Sequence, residues 1–159
     1  LNEAASGTWR LLMHKGSNDS QRTFVMWLIP DSTRIRYRIS GVTNTSIGGD
    51  GNINLPVESW SHVACVKEGM NLRLYVNGAL DTEVLLPEAG VGNTGPLRIN
   101  KNGIHTPSQA SFDDLEIFGV ALEAEEIAGL AASSDDADTD GDGLSDYLEA
   151  ILGTDPMLP

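Results

Sequence analysis

The chain has 159 residues, 17 of them glycine, with 40% hydrophobic and 6% aromatic residues and a formal net charge of −13. That length allows one domain with a real core plus a small appendage, and glycine-rich turn signals recurring along the chain favour an all-β sandwich over a helical bundle. No apolar run reaches membrane-spanning length, which argues against membrane insertion.

The charge is more informative when divided. Residues 1–112 hold all ten Lys and Arg against nine Asp and Glu, a balance of +1; residues 113–159 hold fourteen acids and no Lys or Arg, a balance of −14. The acidity belongs to the C-terminal third, which argues against nucleic acid as a partner there and for a hard cation. The sequence opens without an initiating Met or a signal peptide, so it is expected to be a segment of a larger multidomain chain.

In chain order, Trp9 to His14 reads as a short strand ended by Lys15-Gly16-Ser17-Asn18-Asp19. Gln21 to Ile29 is a second strand, turned by Pro30-Asp31-Ser32. Arg34 to Ile39 is a third, strictly alternating: Arg34, Arg36 and Arg38 on one face, Ile35, Tyr37 and Ile39 on the other. Gly48-Gly49-Asp50-Gly51 reads as a flexible turn.

Trp60 to Lys67 carries apolar residues on both alternating sets (Trp60, Ala64, Val66 and Val63, Cys65), the mark of a strand covered on both faces. Leu72 to Asn77 then points Leu72, Leu74 and Val76 one way and Arg73, Tyr75 and Asn77 the other, and Asn77-Gly78 supplies the positive-φ pair of a tight turn. Thr82 to Leu86 and Pro96 to Asn100 are weaker strands. Phe112 to Phe118 reads as the last one, followed by a short helix over Ala121 to Leu130 with its acids in the first turn.

The hairpin W-x-H-V-A-x-V-x-x-G-x-x-L-x-L-Y-V-N-G (Trp60 to Gly78) resembles the central hairpin of laminin G-like jelly-roll domains in the concanavalin A-like lectin/glucanase superfamily. The string FDDLEIFGVALEAEEIAGL (Phe112 to Leu130) resembles the last strand and short helix of the same family. The resemblance implies an antiparallel two-sheet jelly-roll sandwich over residues 1–132, usually a non-catalytic module that binds glycans or adhesive partners. The stretch around Trp9 already resembles the third or fourth segment of such a domain, so the sandwich is expected to be N-terminally incomplete. By the same resemblance Asp114 stands where related sandwiches often ligate a structural calcium; the alternative is a solvent-facing carboxylate.

The sharpest motif lies in residues 133–159. Asp138-Thr139-Asp140-Gly141-Asp142-Gly143-Leu144-Ser145-Asp146-Tyr147-Leu148-Glu149 satisfies D-x-[DN]-x-[DN]-G-x5-E at every specified position. Calcium takes six to eight oxygen ligands in a flexible shell: Asp138, Asp140 and Asp142 offer carboxylates, Leu144 its carbonyl, Asp146 a direct or water-borne contact, and Glu149 a bidentate close. Ser133-Ser134-Asp135-Asp136-Ala137 stands where an EF-hand would have its entering helix. The tail instead resembles the calcium repeats of thrombospondin type 3 arrays and their bacterial relatives, with Asp155 a potential ligand of a further site. A dockerin would need a second such loop.

For ligands other than metal, Arg34, Arg36 and Arg38 form the one basic cluster. They suit sulfate or uronate groups on an acidic polysaccharide; ordinary cross-strand pairing with acids is the alternative. Trp27 and Tyr37 are candidate sugar-stacking platforms, with burial the alternative. His14, His62 and His105 lack metal-ligand spacing, and Cys65 reads as a small buried hydrophobe. No G-x-S-x-G, H-E-x-x-H or P-loop is present, nor the paired carboxylates that a glycosidase requires. The reading is therefore a secreted or cell-surface, non-catalytic carbohydrate-binding or adhesion module bearing a calcium repeat. The competing reading is a structural spacer that contacts protein surfaces.

Overall fold

The computed structural model describes residues 1–18, 21–101, 103, 105–132, 139, 140, 144, 149, 150, 152–155, 157 and 158. Two antiparallel sheets face each other. The larger takes β1 (Arg10–Asn18), β2 (Gln21–Leu28), β3 (Ile35–Ser40), β4 (Ser46–Asp50) and β8 (Leu97–Ile99) in the order β4-β3-β2-β1-β8, and the short β9 (Thr106–Pro107) pairs with β1 in parallel. The smaller takes β5 (Val63–Glu68), β6 (Asn71–Val76) and β7 (Ala79–Leu85) in sequence order. One helix, α1 (Ala124–Ala132), follows.

The alternation read from the sequence places the core. Met26, Leu28, Ile35, Tyr37, Ile39 and Ile47 project from the large sheet onto Leu72, Leu74 and Val76 of β6. β5 is covered on both sides, as its two apolar sets predict. Val63 and Cys65 pack into the inter-sheet core, while Ala64 and Val66 lie with Tyr75 under Leu122 and Ile127 of the α1 region. Burial pushes the Cys65 thiol up to about 12, so it is an inert core group at neutral pH.

The β6–β7 turn forms as expected, with Asn77 at φ 50° and Gly78 at φ 78°. Gly78 is also where α1 rests: a Cβ there would stand 3.0 Å from the Cα of Ala128. At the start of the helix the Glu123 N–H donates to Glu126 Oε2 at 2.6 Å, half of a capping box that needs no Ser.

Three expectations fail. Gly48 and Gly49 belong to strand β4, paired with Arg38 and Tyr37 of β3, rather than to a turn. They are glycines because Tyr37 crowds them: a Cβ at Gly49 would come within 2.7 Å of the Tyr37 ring. Residues 112–118 form no strand. They run exposed along the surface, and Asp114 adopts φ 48° with its N–H held by Asp113 Oδ1 at 3.1 Å. The string resembles the family's last strand, but a strand also requires a partner for its backbone groups, and none pairs with it among the described residues. Trp60, assigned to the β5 face, precedes that strand and is 66% exposed.

A buried cation fastens the N-terminal segment. Arg10, 1% exposed, donates to the carbonyls of Ala4 (2.9 Å) and Ser32 (2.6 Å) and pairs with Glu3 at 3.2 Å. Removing one member of such a set leaves desolvated partners behind. Arg10→Ala is expected to destabilise the chain by about 3 kcal/mol in denaturant melts; a loss below about 1 kcal/mol would show that the clasp is dispensable.

Candidate functional site

Because inner-face residues alternate with outer-face ones, placing Ile35, Tyr37 and Ile39 in the core turns Arg36 and Arg38 outward on the large sheet. The same rule turns Val25 and Trp27 of β2 outward, opposite Met26 and Leu28. Trp27 pairs in register with Arg36, and Val25 with Arg38. Trp9 joins Leu11, Val25 and Trp27 in a small apolar cluster on this outer face. Across it lies an open cleft of about 310 Å3, lined by Trp9, Arg22, Trp27, Arg36, Arg38, Ser46 and His105.

The cleft is a lattice of stacked planes. The Arg36 guanidinium lies over the Trp9 ring at 4.5 Å, and that of Arg22 over Trp27 at 5.0 Å. Trp9 meets Trp27 edge-on at 6.3 Å, and His105 meets Trp27 edge-on at 5.2 Å. Arg22 is 6% exposed and donates to Ser46 Oγ at 2.6 Å. Trp27 is also 6% exposed, and its indole N–H has no hydrogen-bond acceptor among the described residues.

One carboxylate serves two of the three cations. Asp50, across the β3–β4 ladder from Arg36, accepts from Arg36 Nε and Nη2, both at 2.6 Å, and from Arg38 Nη2 at 3.3 Å. The bidentate bond from Arg36 holds the Asp50 carboxyl below the usual carboxylate range and raises the Arg36 guanidinium in return. Arg38 is lowered, first by burial and then by the neighbouring Arg36 charge. Arg36 and Arg38 thus share one carboxylate, two positive charges against one negative.

Of the expected ligand residues, Trp27, Arg36 and Arg38 are brought together here. Tyr37 is not: it is fully buried between the sheets with its hydroxyl 2.9 Å from Thr82 Oγ1, so it offers no ring face to a ligand. Arg34 lies outside the cleft, bonded to Ser32 Oγ and the Gly51 carbonyl, because it precedes β3 and escapes the strand's alternation. Trp9, Arg22 and His105 were not singled out in the sequence. Trp9 carries a faint signal, since it ends a strand-like run whose outer set includes Leu11; Arg22 falls by alternation with the inner Met26 and Leu28 and is turned outward only beyond a register shift in the β1–β2 pairing. His105 arrives through a long-range pairing that local pattern does not encode.

Of the expected calcium ligands, Asp138, Asp142 and Asp146 lie outside the described residues. Asp140 is half-buried, and Glu149 is 1% exposed on a helical turn whose end is marked by Gly153 at φ 75° and a Thr154 N–H bond to the Glu149 carbonyl. Carboxylates withdrawn from water in a segment with no Lys or Arg suit a divalent cation. Asp155 Oδ1 accepts from the Met157 N–H at 3.1 Å, an interaction within its own turn. Around the exposed Asp114, and elsewhere among the described residues, no three His, Cys, Asp or Glu side chains gather in a metal-binding group.

Comparison with known proteins agrees with this architecture. A family model described as the concanavalin A-like lectin/glucanases superfamily, of laminin G type, matches residues 2–128, and one described as a bacterial TSP3 repeat matches residues 138–159. No curated protein matches the chain. A solved structure of an S-layer domain-containing protein from Clostridium thermocellum (residues 221–444) is similar at 20% identity and a TM-score of 0.38. The match covers 82% of this chain and 66% of that one. The all-β two-sheet sandwich and the extent of the first match lead to one conclusion: the chain belongs to the concanavalin A-like lectin/glucanases superfamily, of laminin G type.

Proposed function

We propose that this chain is a non-catalytic, extracellular carbohydrate-binding module, spanning residues 1–132, joined to a calcium-binding repeat over residues 133–159 in a larger surface protein. The observation that carries the reading is the cleft on the outer face of the large sheet, where two indoles and three guanidiniums converge. Concave sites combining aromatic walls with a few fixed polar groups are the usual form of small-ligand recognition. A binding role is favoured over hydrolysis because the nearby Asp50 is held as a salt-bridge acceptor by Arg36 and Arg38.

In the repeat, Asp138, Asp140, Asp142, Asp146 and Glu149, with the Leu144 carbonyl, would hold calcium. The bound ion would offset two of the five negative charges crowded into twelve residues and order the segment. Asp114 remains a weaker candidate ligand at the edge of the sandwich. The competing reading, a protein-adhesion or spacer module, draws support from the exposed apolar residues Phe112, Leu115, Ile117 and Val120 beside an acidic, metal-stiffened tail.

Calcium is expected to bind with an affinity of about 10⁻⁴ M or tighter, to raise the melting temperature, and to lose at least about tenfold in affinity in Glu149→Gln. Folded protein that releases no heat on calorimetric titration with calcium would refute the repeat assignment. A glycan array probed in millimolar calcium, and again in chelator, should return one class of polysaccharide. A blank array with folded protein would favour the adhesion reading.

A further inference from the structure

Within the cleft, the indoles are poorly placed to bind a neutral sugar. Stacking on a pyranose needs a free, solvent-facing aromatic face. Trp27 is 6% exposed, with Arg22 over its ring and the edges of Trp9 and His105 against it. Trp9 already carries Arg36 over its ring. What the cleft presents instead is positive charge. Asp50 engages Arg36 through two bonds and Arg38 through one longer one, so a single carboxylate faces two guanidiniums.

Arg36 and Arg38 stand on alternate residues of one strand and repel each other across a partly desolvated surface. Asp50 lies between them, one negative charge against two positive ones, and it leaves Arg36 Nη1 and Arg38 Nε without an acceptor among the described residues, donors that a planar or tetrahedral oxyanion can meet. The buried Trp27 N–H adds a donor that lacks an acceptor among the described residues.

We infer that the cleft selects an anionic saccharide, a uronic or sulfated sugar whose carboxylate or sulfate oxygens engage Arg36 and Arg38, with Trp9 and Trp27 serving as walls that orient the guanidiniums. This rests on the carbohydrate-binding reading above and specifies the chemistry of its ligand. The ligand's anionic group is expected to meet the guanidiniums directly, with Asp50 occupied as their acceptor, so binding is expected to survive chelation.

The test is calorimetric titration of the full 159-residue chain, in chelator, with two matched pairs: a galacturonate tetramer against its methyl ester, and a sulfated dextran oligomer against plain dextran. At least one charged member should bind about tenfold or more tightly than its neutral counterpart, and which pair responds separates carboxylate from sulfate. Arg38→Gln should weaken that binding about tenfold. Arg34→Gln, which removes the same charge outside the cleft, should leave it within about twofold. If Arg38→Gln loses the fold, Arg38→Lys carries the test, because it keeps the charge but not the planar fork, and a clear weakening is expected.

Equal binding of charged and neutral members would overturn the inference and leave the carbohydrate-binding reading standing. Equal losses in Arg34→Gln and Arg38→Gln would reduce the effect to net charge and overturn the cleft assignment. Silence of all four probes together with a blank glycan array would overturn both.

Discussion

Tyr37 is the side chain on which the arrangement turns. Its ring fills the space between the sheets, its hydroxyl meets Thr82 of β7, and its bulk dictates glycine at position 49 of the neighbouring strand. Burying Tyr37 fixes the phase of β3, and the phase of β3 decides which way Arg36 and Arg38 face. A one-residue slip would put two guanidiniums into an apolar core and a tyrosine on the surface. The desolvation cost of such a slip is far larger than any local preference of the strand. The outer cleft is thus specified from the inside of the sandwich.

The same reasoning explains why the cleft tolerates three cations in one place. Arg36 and Arg38 are held by more than their shared counter-ion: Arg36 by a ring face and Asp50, Arg38 by a backbone carbonyl and a share of Asp50, while a second ring face lies under Arg22. Aromatic faces stabilise a cation while leaving its charge unneutralised. An aromatic-lined arginine cluster therefore keeps a positive potential that a surface of ordinary salt bridges would lose.

Much of the fold was legible because its signals are local. The alternation of Leu72, Leu74 and Val76 and the Asn77-Gly78 turn define a hairpin without reference to anything distant, and the double apolar set of β5 announces cover on both sides. The errors share a different origin. Gly48 and Gly49 look like a turn because glycine's flexibility is a local property, whereas the need for space beside Tyr37 is a tertiary one. Residues 112–118 look like a strand because Phe, Leu and Ile favour one locally and the string resembles the family's last strand, neither of which supplies a pairing partner. In the cleft, Arg36, Arg38 and Trp27 follow from strand alternation, while Trp9, Arg22 and His105 depend on which strands become neighbours. For the calcium loop the sequence supplies ligand types and spacing, and the described residues add the burial of Glu149.

The short parallel pairing of β9 with β1 brings Arg10 opposite Thr106 and so carries His105 to the rim beside Trp27. That contact closes a loop of nearly a hundred residues, the kind of closure that folding chains make slowly and at entropic cost. The hairpins on either side are local and need no such search. The last wall of the cleft therefore depends on the same long-range closure that pairs β8 with β1, and it is complete only where both ends of the sandwich have met. Recognition would then be confined to the mature fold, sparing the nascent chain from engaging polyanions while its core is still open.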